Sequence, residues 1–250
     1  MANTNIESNT LRPLDGVDGL WHVEQDLFLA GGLMHFYCRM VVVRLQDGGL
    51  LLHSPVAMDD DLEAELGALG EVRWLLAPNL FHHLHLAAAQ RRYPGARLVA
   101  VSGLHAKQPG LRYDVVLEAD DPLPEAWRED LDHQVLAGMP KVNERVLYHR
   151  PSRSVIATDL LFHLEGPQHC KTLTSRLLFR TMGAYGKPAQ SRFWRSMVND
   201  RQANAESLRR VLSWDFARLS PAHGAILTGD DARERVQEVV SDTLRRWKLD

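Results

Sequence analysis

Apolar positions in this chain fall into short runs separated by turn signals, at the spacing a layered α/β protein needs. Leu20 to Ala30 and Phe36 to Leu45 are rich in β-branched and aromatic residues and predict two strands, with Met40 to Leu45 a near-continuous apolar run. Asp47-Gly48-Gly49 marks a turn, and Leu50, Leu51 and Leu52 begin a third strand, so the chain opens with an antiparallel sheet. Asp59 to Leu69 predicts a helix whose first-turn carboxylates suit the helix dipole. The run Val72 to Ala77 predicts a buried strand. A histidine-rich loop, a helix through Arg92, a Pro94-Gly95 stop and a strand at Arg97 to Val101 follow.

Further strands are predicted at Val115 to Leu117, His133 to Ala137, Arg145 to His149 and Ser154 to Ala157, the last running straight into Thr158-Asp159. Leu160 to Leu219 reads as mostly helical with a break at Met182 to Pro188, and Phe193, Met197, Leu208, Val211 and Leu212 recur at helical spacings. Trp194 and Trp214 fit the core faces of these helices. A brief strand around Arg218 to Leu219 leads into Ser220-Pro221-Ala222-His223-Gly224, and Asp230 to Lys248 predicts a charged amphipathic helix. Neither a repeat nor a linker divides the chain. A single domain over residues 13–250 is expected behind a polar, disordered lead-in of residues 1–12.

A length of 250 residues with 45% hydrophobic content is enough for a substantial core. The formal net charge of −3, with both signs scattered, leaves no basic footprint for nucleic acid or an anionic membrane; the partner expected is a small-molecule substrate, and a homo-oligomer is compatible with this surface. The two cysteines, Cys38 and Cys170, supply neither a disulfide framework nor a thiolate zinc motif and read as reduced, non-functional thiols. Met1 to Arg12 lacks an apolar signal core, which points to a cytoplasmic, bacterial-type protein.

The candidate chemistry lies at strand ends. Pro78-Asn79-Leu80-Phe81-His82-His83-Leu84-His85 places three imidazoles after the Val72 to Ala77 run, Asp159 ends another apolar run, and His223 follows a third. Imidazoles and a carboxylate suit Zn²⁺ or Fe²⁺, and two histidines with one carboxylate leave coordination positions open. The order and context of these motifs resemble the metallo-β-lactamase-fold superfamily over about residues 20 to 230. The resemblance implies an α/β protein, an αββα sandwich of two mixed sheets flanked by helices with metals at one edge. Thr158-Asp159-Leu160-Leu161-Phe162 resembles its bridging-aspartate segment, and Ser220-Pro221-Ala222-His223-Gly224 resembles its last histidine motif.

Departures from the superfamily pattern are equally informative. Asn79 and Phe81 stand where the first two histidines of His-x-His-x-Asp-His belong, and Met139 in Gly138-Met139-Pro140 stands in a third histidine position. The resemblance therefore implies a reduced, mononuclear centre with His83, Asp159 and His223 as ligands and His82 and His85 as secondary candidates, because a one-residue shift of the loop changes which imidazole reaches the metal. His53 and Asn79 are expected behind the ligands, orienting them. No catalytic residue is assigned. This pattern is similar to an uncharacterised bacterial branch known only as a domain of unknown function.

A divalent metal, Zn or Fe, would support hydrolysis of a small ester, thioester, amide or phosphodiester. The same donors are compatible with an iron-dependent oxidoreductase. The losses at Asn79, Phe81 and Met139 equally fit a non-catalytic or ligand-binding member that has lost its metals. His149 reads as a turn residue, and His163, His169, Cys170 and Lys187 as a solvated loop.

Overall fold

Alternation along the strands sorts apolar side chains into three separate layers, and those layers define the architecture. A computed structural model describes residues 9–249. The chain begins with four strands, β1 (Arg12–Pro13), β2 (Leu20–Leu29), β3 (Met34–Arg44) and β4 (Leu50–His53), each antiparallel to the one before. Helices α1 (Asp60–Leu69), α2 (Leu86–Arg92) and α3 (Leu104–Lys107) then alternate with strands β5 (Val72–Ala77), β6 (Arg97–Val101) and β7 (Val115–Leu117), which extend the sheet in parallel. The seven strands lie in sequence order.

The second half starts with β8 (Leu131–Val135), β9 (Arg145–His149), β10 (Ser154–Ile156) and the short β11 (Phe162–His163). It continues through α4 (Leu173–Thr181), β12 (Pro188–Ala189), α5 (Arg192–Ser196) and α6 (Arg201–Ser213), then β13 (Arg218–Ser220), β14 (Leu227–Thr228) and α7 (Ala232–Trp247). Five of these strands form the second sheet in the order β14-β13-β10-β9-β8, mixed because β10 and β13 run parallel while the other pairs are antiparallel. β11 and β12 pair separately.

Side-chain direction then builds the sandwich. Leu50, Leu52, Leu75, Ala77, Leu98 and Ala100 point from the first sheet to Leu62 and Leu66 of α1, Leu86 of α2 and Leu104 of α3. Their neighbours Leu51, Trp74, Leu76 and Val99 point the other way and meet Leu131, Leu147 and Ile156 of the second sheet. On the far side, Val146, Val155 and Leu219 pack against Trp194, Leu208, Val211, Val236 and Val240 of α5, α6 and α7. The result is an αββα sandwich, and the parallel strands read as continuous apolar runs because both of their faces are covered.

Predicted strands at Val72–Ala77, Arg97–Val101, Val115–Leu117 and Arg145–His149 coincide with the observed ones, whereas β8 begins two residues before its predicted start at His133. The expectation of a disordered lead-in needs correction over residues 9–12; residues 1–8 of it lie outside the described residues. Asn9 is buried, donating to Asp59 and accepting from Gln25, and Arg12 pairs with His22 across β2. A sheet edge that needs a partner and a buried amide network order this segment. The solvated-loop reading of residues 163–170 is also overturned, since His163, His169 and Cys170 are all buried. Leu164, Cys170, Phe179 and Ala184 form a small apolar cluster of their own beside the site, while Lys187 is exposed as expected. No helix among the described residues is long and apolar enough to cross a membrane.

Candidate metal centre

Three strand ends converge at one edge of the sandwich. The loop after β5 supplies His82, the segment after β10 supplies Asp159, and the loop after β13 supplies His223. His82 Nε2 lies 3.6 Å from Asp159 Oδ2, and His223 Nε2 lies 3.4 Å from Asp159 Oδ1. The two imidazole centroids are 5.1 Å apart. Neighbouring donors on a tetrahedral ion with bonds of about 2.1 Å are separated by roughly 3.4 Å, so the donor spacing fits a single ion. Among the described residues this is the one group of three or more histidine, cysteine or carboxylate side chains close enough to share one.

The far side of each donor is already committed. His82 Nδ1 is 2.8 Å from the hydroxyl of Ser54, a residue held at φ +56° just past β4. His223 Nδ1 lies 2.6 Å from the carbonyl oxygen of Tyr37, which can only accept, so that ring nitrogen carries a proton and Nε2 is the one presented to Asp159. Phe162 stacks on the His223 ring at 4.9 Å between centroids, and the Arg39 guanidinium holds the Pro221 carbonyl. After His223 the chain presses against β11: Gly224 has φ +103°, and a Cβ there would sit 2.0 Å from the His163 carbonyl oxygen. Only glycine fits the exit from this histidine.

Asp159 is held through Asn79, which is fully buried. The amide nitrogen of Asn79 donates to Asp159 Oδ2 at 2.7 Å and to the Thr158 hydroxyl at 2.9 Å, while its oxygen accepts from the backbone N–H groups of Phe81 and His82. One side chain thus sets both the carboxylate and the histidine loop. Behind them, the buried Glu144 carboxylate accepts from Thr158 N, the Thr158 hydroxyl and Asp159 N. Burial and the nearby Asp159 carboxylate push Glu144 up to about 7. Burial alone would raise Asp159, yet His82 and His223 outweigh it and lower its pKa well below the ordinary range. Burial alone would likewise lower His223, but Asp159 and the Cys38 thiol beside it push that imidazole up to about 10.

These positions sort the expectations. Asp159 and His223 meet as expected, but the imidazole that joins them is His82, not His83. The backbone N–H groups of Phe81 and His82 both turn toward Asn79, which aims the His82 ring inward. His83 and His85 line the adjacent cleft instead, each with a pKa lowered by burial, that of His83 also by Lys107. Asn79 takes the orienting place expected for it. His53 is buried with Nε2 unpartnered and shares no hydrogen bond with His82, Asp159 or His223; burial and the neighbouring His82 push it down to about 3. Met139 is packed in the core beneath α5 and α6, and Phe81 is half-exposed under the Lys107 ammonium, so neither position offers a donor for a second ion.

Ser54, Tyr37, Glu144 and Cys38 were missed by sequence reasoning. Ser54 follows directly on the strand that begins at Leu50, and Glu144 stands just before the strand Arg145 to His149, so a polar residue at a strand terminus was the available signal. A backbone carbonyl such as that of Tyr37 carries no sequence signal at all.

The fold and site can now be set beside known proteins. A metallo-β-lactamase from Pontibacter korlensis superposes with a TM-score of 0.61 at 13% identity, covering 93% of this chain and 100% of that one. The mono-zinc form of FIM-1 from Pseudomonas aeruginosa gives 0.57 at 14% identity, over 93% of this chain and 95% of the other. A metal-soaked Flv1 flavodiiron core from Synechocystis gives 0.65 at 10% identity, covering 96% of this chain but 61% of that one. At such identities the likeness establishes the metallo-β-lactamase fold. No curated protein matches the sequence. Residues 17–193 match a family described as a domain of unknown function, DUF4336, and on that match the chain belongs to this family within the metallo-β-lactamase fold.

Proposed function

We propose that this protein is a hydrolase with a mononuclear metal centre held by His82, Asp159 and His223. The observation that carries this reading is the convergence of two imidazole nitrogens and one carboxylate from three distant strand ends, each held by an orienting hydrogen-bond partner. Side chains satisfied locally in this way are preorganised, which is what a ligand set requires and a chance cluster lacks. A divalent ion bound there supplies a Lewis acid and a coordinated water of lowered pKa.

The chain's own residues do the rest. Ser54 and Asn79 fix His82 and Asp159, Tyr37 and Phe162 fix His223, and a cleft of about 470 Å³ opens beside them. Cys38 also lines the cleft and is the nearest soft donor.

Elemental analysis of protein purified without chelators tests this proposal. The expected result is about one equivalent of zinc or iron per chain, lost in His82→Ala and His223→Ala and retained in His83→Ala. Stoichiometric metal in none of these proteins, or equal loss in all three variants, overturns it. Two equivalents would overturn the mononuclear reading.

A further inference from the structure

The cleft beside the triad has a composition that says what it takes. Leu27 and Leu29 of β2, Phe36 of β3, Leu178 and Phe179 of α4, and Phe193 of α5 form its walls, and the triad sits on its floor. Neither lysine nor arginine is among the residues that line it. The nearest lysine at the histidine loop, Lys107, is not among the lining residues: its ammonium donates to the Leu80 carbonyl at 2.6 Å and covers the Phe81 ring. The opening is apolar too, with Phe81, Leu84 and Phe193 all exposed at its rim.

Away from the triad on the floor, these walls offer an anion no counter-ion, whereas a hydrocarbon chain laid along them gains by leaving water. A volume of about 470 Å³ is within the range of small-molecule sites and far exceeds what a water or an acetyl group fills. We infer that the site takes neutral esters or amides of a medium-length aliphatic acyl chain, with the carbonyl at the triad and the chain laid along Leu27, Leu29, Leu178 and Phe179. This rests on the hydrolase reading for its chemistry but on the cleft alone for its binding. The reaction needs only water: the water oxygen bonds to the acyl carbon and the ester C–O bond breaks. One water proton passes to the departing alkoxide, and the acid product releases the other to solvent. Phosphodiesters and carriers with phosphate groups are disfavoured by the same walls.

Two measurements separate the binding claim from the chemistry. In the first, the neutral fluorophore N-phenyl-1-naphthylamine is displaced from the protein by n-alkanols from butanol to decanol. The half-displacing concentration is expected to fall roughly three- to fourfold per added methylene. Leu178→Lys and Phe193→Ala should each weaken octanol severalfold. Both variants alter partly exposed positions and leave the core intact. In the second, zinc-loaded protein is assayed on p-nitrophenyl acetate, butyrate, hexanoate and octanoate, with kcat/KM expected to rise along the series. Chain-length-dependent displacement with no hydrolysis of any ester supports the cleft assignment and overturns the hydrolase reading. Hydrolysis independent of chain length, with no alkanol binding, overturns the cleft assignment and leaves the hydrolase reading standing.

Discussion

Among single residues, Asn79 concentrates the most consequence. All four hydrogen-bonding positions of its amide are used, two toward Thr158 and Asp159 and two from the loop that carries His82. Asn79→Ala leaves the Phe81 and His82 N–H groups unpaired in a buried setting and removes the donor that orients Asp159. The expected cost is about 2–4 kcal/mol of stability. Urea denaturation measures it, and elemental analysis of the same protein should show metal content well below the parent's. An Asn79→Ala protein with parental stability and metal would show that the loop is held elsewhere. At this scale the sequence was only partly legible. Asp159 and His223 stand out as candidates because each follows an apolar strand, and the resemblance of their segments to superfamily motifs is what joins them as one ligand set. Choosing His82 over His83 requires knowing that the backbone turns around the Asn79 side chain, and no periodicity extends into a loop of that kind.

Elements explain why some strands could be read and others could not. β5, β6 and β9 are apolar on both faces because each lies between two packed layers, and such runs announce themselves. β1, β11, β12 and β14 have two residues each, too short to carry an alternation, and they exist because tertiary neighbours supply partners. The segment of residues 160–190 was read as mostly helical, yet β11 and β12 in it form the wall against which the His223 loop rests, through His163 N to His223 O at 2.9 Å and Ala225 N to His163 O at 2.8 Å. Gly224 is where this contact is tightest. Gly224→Ala must move either β11 or the loop, and a positive φ adds to the clash; a loss of about 2 kcal/mol or more is expected. Thermal unfolding reads the loss, and metal content reads the displacement of His223. Gly31, whose added Cβ would meet nothing, is the control: Gly31→Ala retains parental metal content.

For the molecule as a whole, the buried histidines determine how stability responds to acid. His133 and His149 of the second sheet are each pushed down to about 4 by burial, His133 also by the Arg145 guanidinium that donates to its Nδ1 at 2.7 Å. His53 is lower still. A histidine whose folded pKa is depressed is neutral in both states above about 6.5, so it has no effect on stability there. As pH falls below 6.5 the unfolded chain binds protons that the folded one refuses, and stability is lost until the folded pKa near 4 is reached. Glu144 works in the opposite sense: its raised pKa of about 7 makes protonation favour the folded state as pH falls from there toward 4.5. One carboxyl faces at least three histidines with large shifts of comparable size, so the histidines prevail. His149, which is almost fully buried, alone contributes on the order of 2–3 kcal/mol between pH 6.5 and 4. Urea midpoints should therefore rise as pH falls from 8 to about 7, where folded His223, raised to about 10, and Glu144 hold protons that the unfolded chain lacks, then drop between 6.5 and 4.5, and drop less in His149→Gln. In Glu144→Gln the opposing contribution is gone and the decline steepens. A midpoint that stays level down to pH 4.5 would mean that these imidazoles are reached by water or by counter-charges in the native protein.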